Sequence, residues 1–353
     1  MDADRALSRS GVEVRQAAAA FAQPNRGQGV FQLLTSFGPF IAACASMYLV
    51  YPISPLLTIA LAVPTGALLA RVFIIQHDCG HGSFFTSARA NIIVGWACSL
   101  FTMTPFTNWA RQHSLHHGNW SNLDRRKGTD LYSACLTVRE YLALTRWRRL
   151  LHRLPRHPLV ANVLLPPLVF LVLYRMPLDI PRRWVRERRS VHITSAALLA
   201  LFGSLALLLG WQEVLMIHLS VMIVASIVGV WLFSLQHRFE TARWTRREEW
   251  NPSDASMEGS SWFDLPRILH WLTGNIGFHH VHHLNPRVPS YRLCAAHDAV
   301  QALWPVEPLS LMGGLRALAY PVGRDERTTR ELPRGCPRCV PVNQGTSPHR
   351  KFG

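Results

Sequence analysis

Gly274 to Tyr291 reads GNIGFHHVHHLNPRVPSY. His279, His282 and His283 form an H-x-x-H-H unit within it, and His280 lies among them. On a helix, positions i, i+3 and i+4 share one face, so the spacing predicts three imidazoles aimed at one place. Neutral imidazole is a borderline ligand that suits iron, zinc, copper and nickel. His280 falls off the shared face and reads as a group behind the ligands or at the surface. The stretch decides the fold because two similar units precede it, each beside an apolar segment of membrane-spanning length. His77 and His81 stand in H-D-C-G-H, and His113, His116 and His117 stand in H-S-L-H-H.

Composition agrees with a membrane setting. The 353 residues are 49% hydrophobic and 16% charged, where a soluble domain carries about 25% charged residues. Nearly all of the net charge of +16 is arginine, since Lys127 and Lys351 are the only lysines. These arginines flank apolar spans. The positive-inside rule and anionic headgroups account for them, and a nucleic-acid partner is set aside. The seven scattered cysteines do not make a disulfide framework. Cys336 and Cys339 form a single C-x-x-C in a Pro/Arg-rich tail, residues 321–353, that reads as disordered rather than as a zinc site. Residues 1–30 lack the basic start and apolar core of a signal peptide and read as a cytoplasmic arm, partly disordered or interfacial.

Four stretches of about 20 residues are long enough to cross a bilayer: Phe31 to Tyr51, Leu56 to Gln76, Ile193 to Trp211 and Val214 to Gln236. Arg71 lies near the end of the second and can snorkel toward the headgroups. Ala90 to Trp109 and Pro158 to Tyr174 are also apolar, and parity decides them. His81 and His113 are separated only by the first of these runs. If that run crossed once, two histidine units would face opposite compartments. It must be re-entrant or interfacial, and so must Pro158 to Tyr174, which holds Pro166 and Pro167. Four crossings in two hairpins remain, with all histidine units on one side. The links around Pro52 and Gln212 contain no Lys or Arg, whereas sixteen Lys/Arg lie between Arg111 and Arg189. Positive-inside then makes the histidine side cytoplasmic. The expected architecture is an all-α membrane protein, residues 31–320, with four transmembrane helices, interfacial or re-entrant helices and a cytoplasmic helical cap carrying the metal site.

The candidate ligands are His77, His81, His113, His116, His117, His279, His282 and His283, with His237 added because it emerges directly from the fourth span. So many imidazoles exceed one metal's needs, and two metals sharing them is the natural count. Histidine-rich sites with open positions suit iron that binds dioxygen. Neither the carboxylate E-x-x-H pairs of a ferritin-like centre nor the H-E-x-x-H of a zinc hydrolase is present. Asp78, Asp124, Asp130 and Glu240 are near enough in sequence to accept a ligand's second ring N–H, or are ordinary solvated or arginine-paired carboxylates. Pro105, Trp109 and Trp120 shape a tunnel wall or anchor at the interface. His152, His157, His192, His218, His270, His297 and His349 stand alone and read as structural or solvated.

The three units, in this order around two membrane hairpins, resemble those of the integral-membrane fatty acid desaturases. The text from His77 to Ser83 (HDCGHGS), from Trp109 to Asp130 and from Gly274 to Leu293 is similar to the bacterial acyl-lipid desaturases of the delta-12, or omega-6, type. The resemblance runs from Gln32 to Leu293. It implies two irons held by the box histidines and by His237. It also implies removal of hydrogens from an unactivated acyl chain with dioxygen, giving a cis double bond and water. Its electrons come from a ferredoxin or a cytochrome, and since no H-P-G-G haem motif is present the donor is a separate protein. A multi-pass protein of the bacterial inner membrane follows, working on a fatty acyl lipid among membrane lipids. Two other readings compete: a di-iron hydroxylase of an alkane, carotenoid or lipid on the same scaffold, and a membrane metal transporter or store. The last predicts a path of ionisable residues through the spans, where only Arg71 and His218 stand.

Overall fold

A computed structural model describes residues 2–125, 136–239 and 241–317. The expected tail, residues 321–353, lies outside them, as do Asp130, Glu240 and Cys336 with Cys339. The chain is an all-α membrane protein. It begins with α1 (Asp2–Ala19), α2 (Arg26–Val50), α3 (Pro55–Gly80), α4 (Ala88–Thr102) and α5 (Phe106–Asn119). Then come α6 (Val138–Ala143), α7 (Arg146–Arg153), α8 (Leu165–Leu171), α9 (Val185–Leu209) and α10 (Trp211–His237). The cap holds α11 (Pro252–Met257), α12 (Arg267–Leu272), α13 (His279–Leu284), α14 (Leu293–Gln301) and α15 (Leu311–Ala317). A two-residue parallel pair, β1 (Trp262–Phe263) with β2 (Pro308–Leu309), ties the cap together, Trp262 opposite Pro308.

Four helices, α2, α3, α9 and α10, are long and apolar enough to span. Both hairpins turn tightly. Ser54 caps α3 through its side chain and Pro55 opens the helix, while Gly210, at φ 95°, is the single residue between α9 and α10. The spans are not equivalent. Within their apolar windows α3 and α10 are 44% and 33% buried, and α2 and α9 only 17% each. The first pair is therefore the inner one, and it delivers His77 and His237. Leucines such as Leu207, 90% exposed, and Leu49, 74% exposed, face where lipid lies. Several hydroxyls inside the spans return to their own backbone, as Thr65 does to the Leu61 carbonyl at 2.7 Å and Ser46 to the Ala42 carbonyl at 2.9 Å, which spares those donors the bilayer. His218 of α10 meets the Tyr48 hydroxyl of α2 at 2.9 Å, a pair linking two spans rather than a step in a path.

The parity expectation takes physical form in α4 and α5. α4 has 15 residues, too few for a full crossing at 1.5 Å each. It stops at Met103, which adopts φ 52°, and Pro105 starts α5 in a new direction. The corner closes because Gly95 has no side chain: a Cβ there would lie 2.3 Å from the Phe106 ring. The chain thus returns to its starting side, and the His81 and His113 rings end 4.9 Å apart. The Pro158 to Tyr174 run is set off by a bend at its start. A π-helical turn, Val160–Leu164, leads into α8 with Pro166 and Pro167 near its start, and this arm, Val160–Arg175, meets the preceding one, Arg146–Arg156, at a bend of 51°.

On the histidine side the N-terminal stretch forms α1, whose Val14 and Ala18 are fully buried in an apolar core with Met257, Phe278, Val281 and Val300. Where Gly66 of α3 faces α10, a Cβ would sit 2.7 Å from Val224, so this crossing depends on glycine. Gly66→Leu should lower stability by about 1–3 kcal/mol, the cost of overpacking a tight interface. Reversible unfolding in detergent measures it, and an unchanged midpoint would mean that α3 and α10 do not cross there.

Candidate metal centre

Each histidine is placed by a helix end. The last turn of α3 supplies His77, and its capping residue is His81. α5 supplies His113, His116 and His117, α10 ends on His237, and the short α13 supplies His279, His282 and His283. All nine come together, but not box by box. His77, His81, His113, His117 and His282 form one group whose ligand atoms all lie within 4.8 Å of one another. His116, His237 and His283 form a second group on the same measure. His279 joins the second through His237, with its Nε2 3.0 Å away.

The expectation that the three imidazoles of the third unit aim at one place is therefore corrected: His282 belongs to the first group and His283 to the second, while His77 and His81 of the first unit stay together. On α5 the i, i+4 pair His113 and His117 stays together, with Nε2 atoms 3.1 Å apart. His116 turns instead to His237, 3.0 Å away between Nε2 atoms. One helical residue is about 100° of rotation, enough to carry a neighbouring ring from one group to the other. The groups touch where the His117 and His283 rings stack at 4.1 Å.

These nitrogens fit metal. Nε2···Nε2 separations of 3.0–3.1 Å recur at His116–His237, His237–His279, His113–His117 and His117–His282. Two nitrogens each about 2.1 Å from one ion and at right angles would be about 3.0 Å apart. The Nε2 atoms of His77, His81 and His283 are buried and have no hydrogen-bond partner among the described residues. An orphaned buried polar atom costs about 1–3 kcal/mol, so this many lone pairs call for an ion. Burial, with neighbouring histidines adding to it, holds His113, His117, His279, His282 and His283 well below the ordinary histidine range. Their rings are neutral at pH 7 and their lone pairs are available.

The supporting groups are partly those expected. Asp78, 1% exposed, takes the His77 Nδ1–H at 3.1 Å on one oxygen. Its other oxygen accepts the Ser290 backbone N–H at 2.7 Å, so a single carboxylate locks the first box to the chain just beyond the third. Asp124 instead pairs with Arg246 at 2.8 Å on the cap surface. Trp109 stacks on His113 at 4.6 Å, and Trp120 packs 3.9 Å from the His237 ring. Both tryptophans are thus walls of the centre, and Pro105 is the residue before α5. Phe233, one turn before His237, packs on that ring and on His116; its i−4 spacing was the available signal. His280 is not at the surface. It is fully buried, points away from both groups and meets His297 Nδ1 at 3.2 Å, so His297 is not alone either.

Four candidate membrane spans and two adjoining histidine groups that could hold metal define a membrane protein of histidine-box type. The sequence model of the fatty acid desaturase family matches residues 53–312, a stretch containing all nine histidines, and the chain belongs to that family. It is 42% identical over 302 residues to a fatty acid desaturase of Bacillus subtilis, covering 86% of this chain and 85% of that one. It is 26% identical over 255 residues to an sn-1 oleoyl-lipid 12-desaturase of Synechocystis, covering 68% and 67%. To a chloroplastic omega-6 fatty acid desaturase of Glycine max it is 26% identical over 264 residues, covering 68% of this chain and 55% of the relative.

The neutral imidazoles also set a pH dependence for the metal-free protein. Unfolded histidines titrate near 6.5, and the folded ones below it, so between those values the unfolded chain binds more protons. Stability is at its full value above about pH 6.5 and falls as pH drops through that window. The melting midpoint of metal-free protein should decline from about pH 7.5 to about pH 5.5, and His113→Gln with His282→Gln should flatten the decline. A flat profile in the parent protein would contradict the burial.

Proposed function

We propose that the protein is a di-iron acyl-lipid desaturase that inserts a cis double bond into a fatty acyl chain, using dioxygen and two external electrons. The observation that carries this is the pair of all-histidine groups at the ends of the inner spans, within a chain of the fatty acid desaturase family. His77, His81, His113, His117 and His282 would hold one iron, and His116, His237, His279 and His283 the other. When bound, iron supplies the dioxygen activation and electron storage that side chains lack. The balanced reaction converts CH2–CH2, O2, two electrons and two protons into CH=CH and two waters. A one-electron carrier protein of ferredoxin or cytochrome type supplies the electrons singly.

The chain's own residues do the positioning. Asp78 accepts the His77 Nδ1–H and so keeps Nε2 free as a ligand. Trp109, Trp120 and Phe233 clamp the rings and exclude water from one flank of the centre. The spans favour an apolar substrate, which partitions into the bilayer by about 0.8 kcal/mol per CH2. The absence of Lys and Arg from both hairpin links supports a cytoplasmic histidine side in a bacterial inner membrane. The similarity to oleoyl-lipid 12-desaturases supports the delta-12, omega-6 subtype.

Expression in a host without polyunsaturated lipids should yield new diunsaturated chains, two hydrogens lighter by mass spectrometry. His116→Ala should abolish them and lower bound iron. An added oxygen in place of the lost hydrogens would make the protein a hydroxylase, and an unchanged profile despite bound iron would defeat the desaturase reading.

A further inference from the structure

Arg71 sits inside α3 with 3% of its surface exposed. Its guanidinium lies over the Trp271 ring at 4.3 Å, and its terminal nitrogens donate to the Trp271 carbonyl and to Gln32 Oε1. Its Nε–H has no partner, and no carboxylate pairs with it among the described residues. Arginine does not shed its proton in proteins, so a full positive charge is buried in a membrane helix with only neutral acceptors around it. Such a charge calls for an anion.

A place for one adjoins it. A cavity of about 260 Å³ is lined by Arg71, Arg267, Gln32, Trp271, Asn275 and Tyr291 among others, and its lining holds two arginines and no carboxylate. The larger cavity in the cap, about 710 Å³, is lined instead by Arg243 together with Glu249, Glu258 and Glu307 and has no such bias. Arg267 opens α12, where Ile268 is 64% exposed and Trp271 faces Arg71. An exposed isoleucine beside tryptophan and arginine marks a helix lying at the bilayer surface. The cavity is smaller than the roughly 300–1,000 Å³ that encloses a drug-sized ligand, so it suits a headgroup whose tails stay in the bilayer.

We propose that this cavity binds the phosphodiester of an anionic membrane phospholipid, with Arg71 and Arg267 as its cationic walls. Guanidinium and phosphate oxygens match in geometry as well as charge. The site lies against α3 six residues before His77, about 9 Å along the helix axis, and Asn275 is four residues before His279. It rests on the membrane fold and not on the redox chemistry, so it is tested on metal-free protein.

The full chain, purified in neutral detergent, is titrated with phosphatidylglycerol and bound lipid is read by native mass spectrometry. Parallel titrations use diacylglycerol with the same tails, inorganic phosphate and oleate. Arg267→Gln and Arg71→Met should each weaken phosphatidylglycerol binding about tenfold or more. Cys294→Trp, at the exposed rim, should weaken it too, while diacylglycerol should bind all forms alike. Should Arg71→Met fail to fold by circular dichroism, Arg267→Gln and Cys294→Trp decide. Unchanged phosphatidylglycerol affinity in those two overturns the proposal. Displacement of the lipid by equimolar inorganic phosphate or oleate overturns the lipid as occupant.

Discussion

Nine imidazoles crowded into one largely buried volume are unfavourable unless their lone pairs have something to share. That constraint organises the molecule. Nitrogen donors on α3, α5, α10 and α13 must arrive from the same side, so every segment between them returns to where it left. α4 therefore turns back at Met103, the chain bends by 51° before Val160, and of the segments between ligands α9 with α10 makes the full excursion across the bilayer and home again. Asp78 then fixes the register between the two farthest ligand segments, with one oxygen on His77 and the other on Ser290.

The inner position of α3 and α10 follows from the same requirement. The helices that end in ligands must be held rigidly, and they are the more buried pair, crossing at a glycine. α2 and α9 shield them and present leucine to the lipid. α1 does comparable work on the other side, where Val14 and Ala18 fill the core beneath α13 and α14.

Much of this was legible in the sequence. Span lengths, hairpin links and ligand identities could be read because apolar length, charge placement and histidine spacing are local properties. Parity added that α4 does not make a single crossing, since it needs only that the ligands meet. The division of the second and third boxes between two groups was not legible. It depends on which way neighbouring helices face α5, and adjacent residues such as His116 and His117 differ by about 100° of rotation. Which of the two readings of His280 holds, behind the ligands or at the surface, was left open for the same reason. The side of α13 away from the ligands is not surface, because α14 brings His297 against it. Phe233 was overlooked because an aromatic in an apolar span looks like any other until His237 is known to need a wall.

The order of ligands along the chain has a consequence for biosynthesis. Both groups draw on α13, so neither is complete until His282 and His283 have left the ribosome, by which point all four spans have been made. Any metal these groups take would therefore be loaded late in maturation. A chain cut before residue 279 would keep its spans and most of its donors yet close neither group, and the stretch of text that seeds the fold's logic also brings the last of the nine histidines.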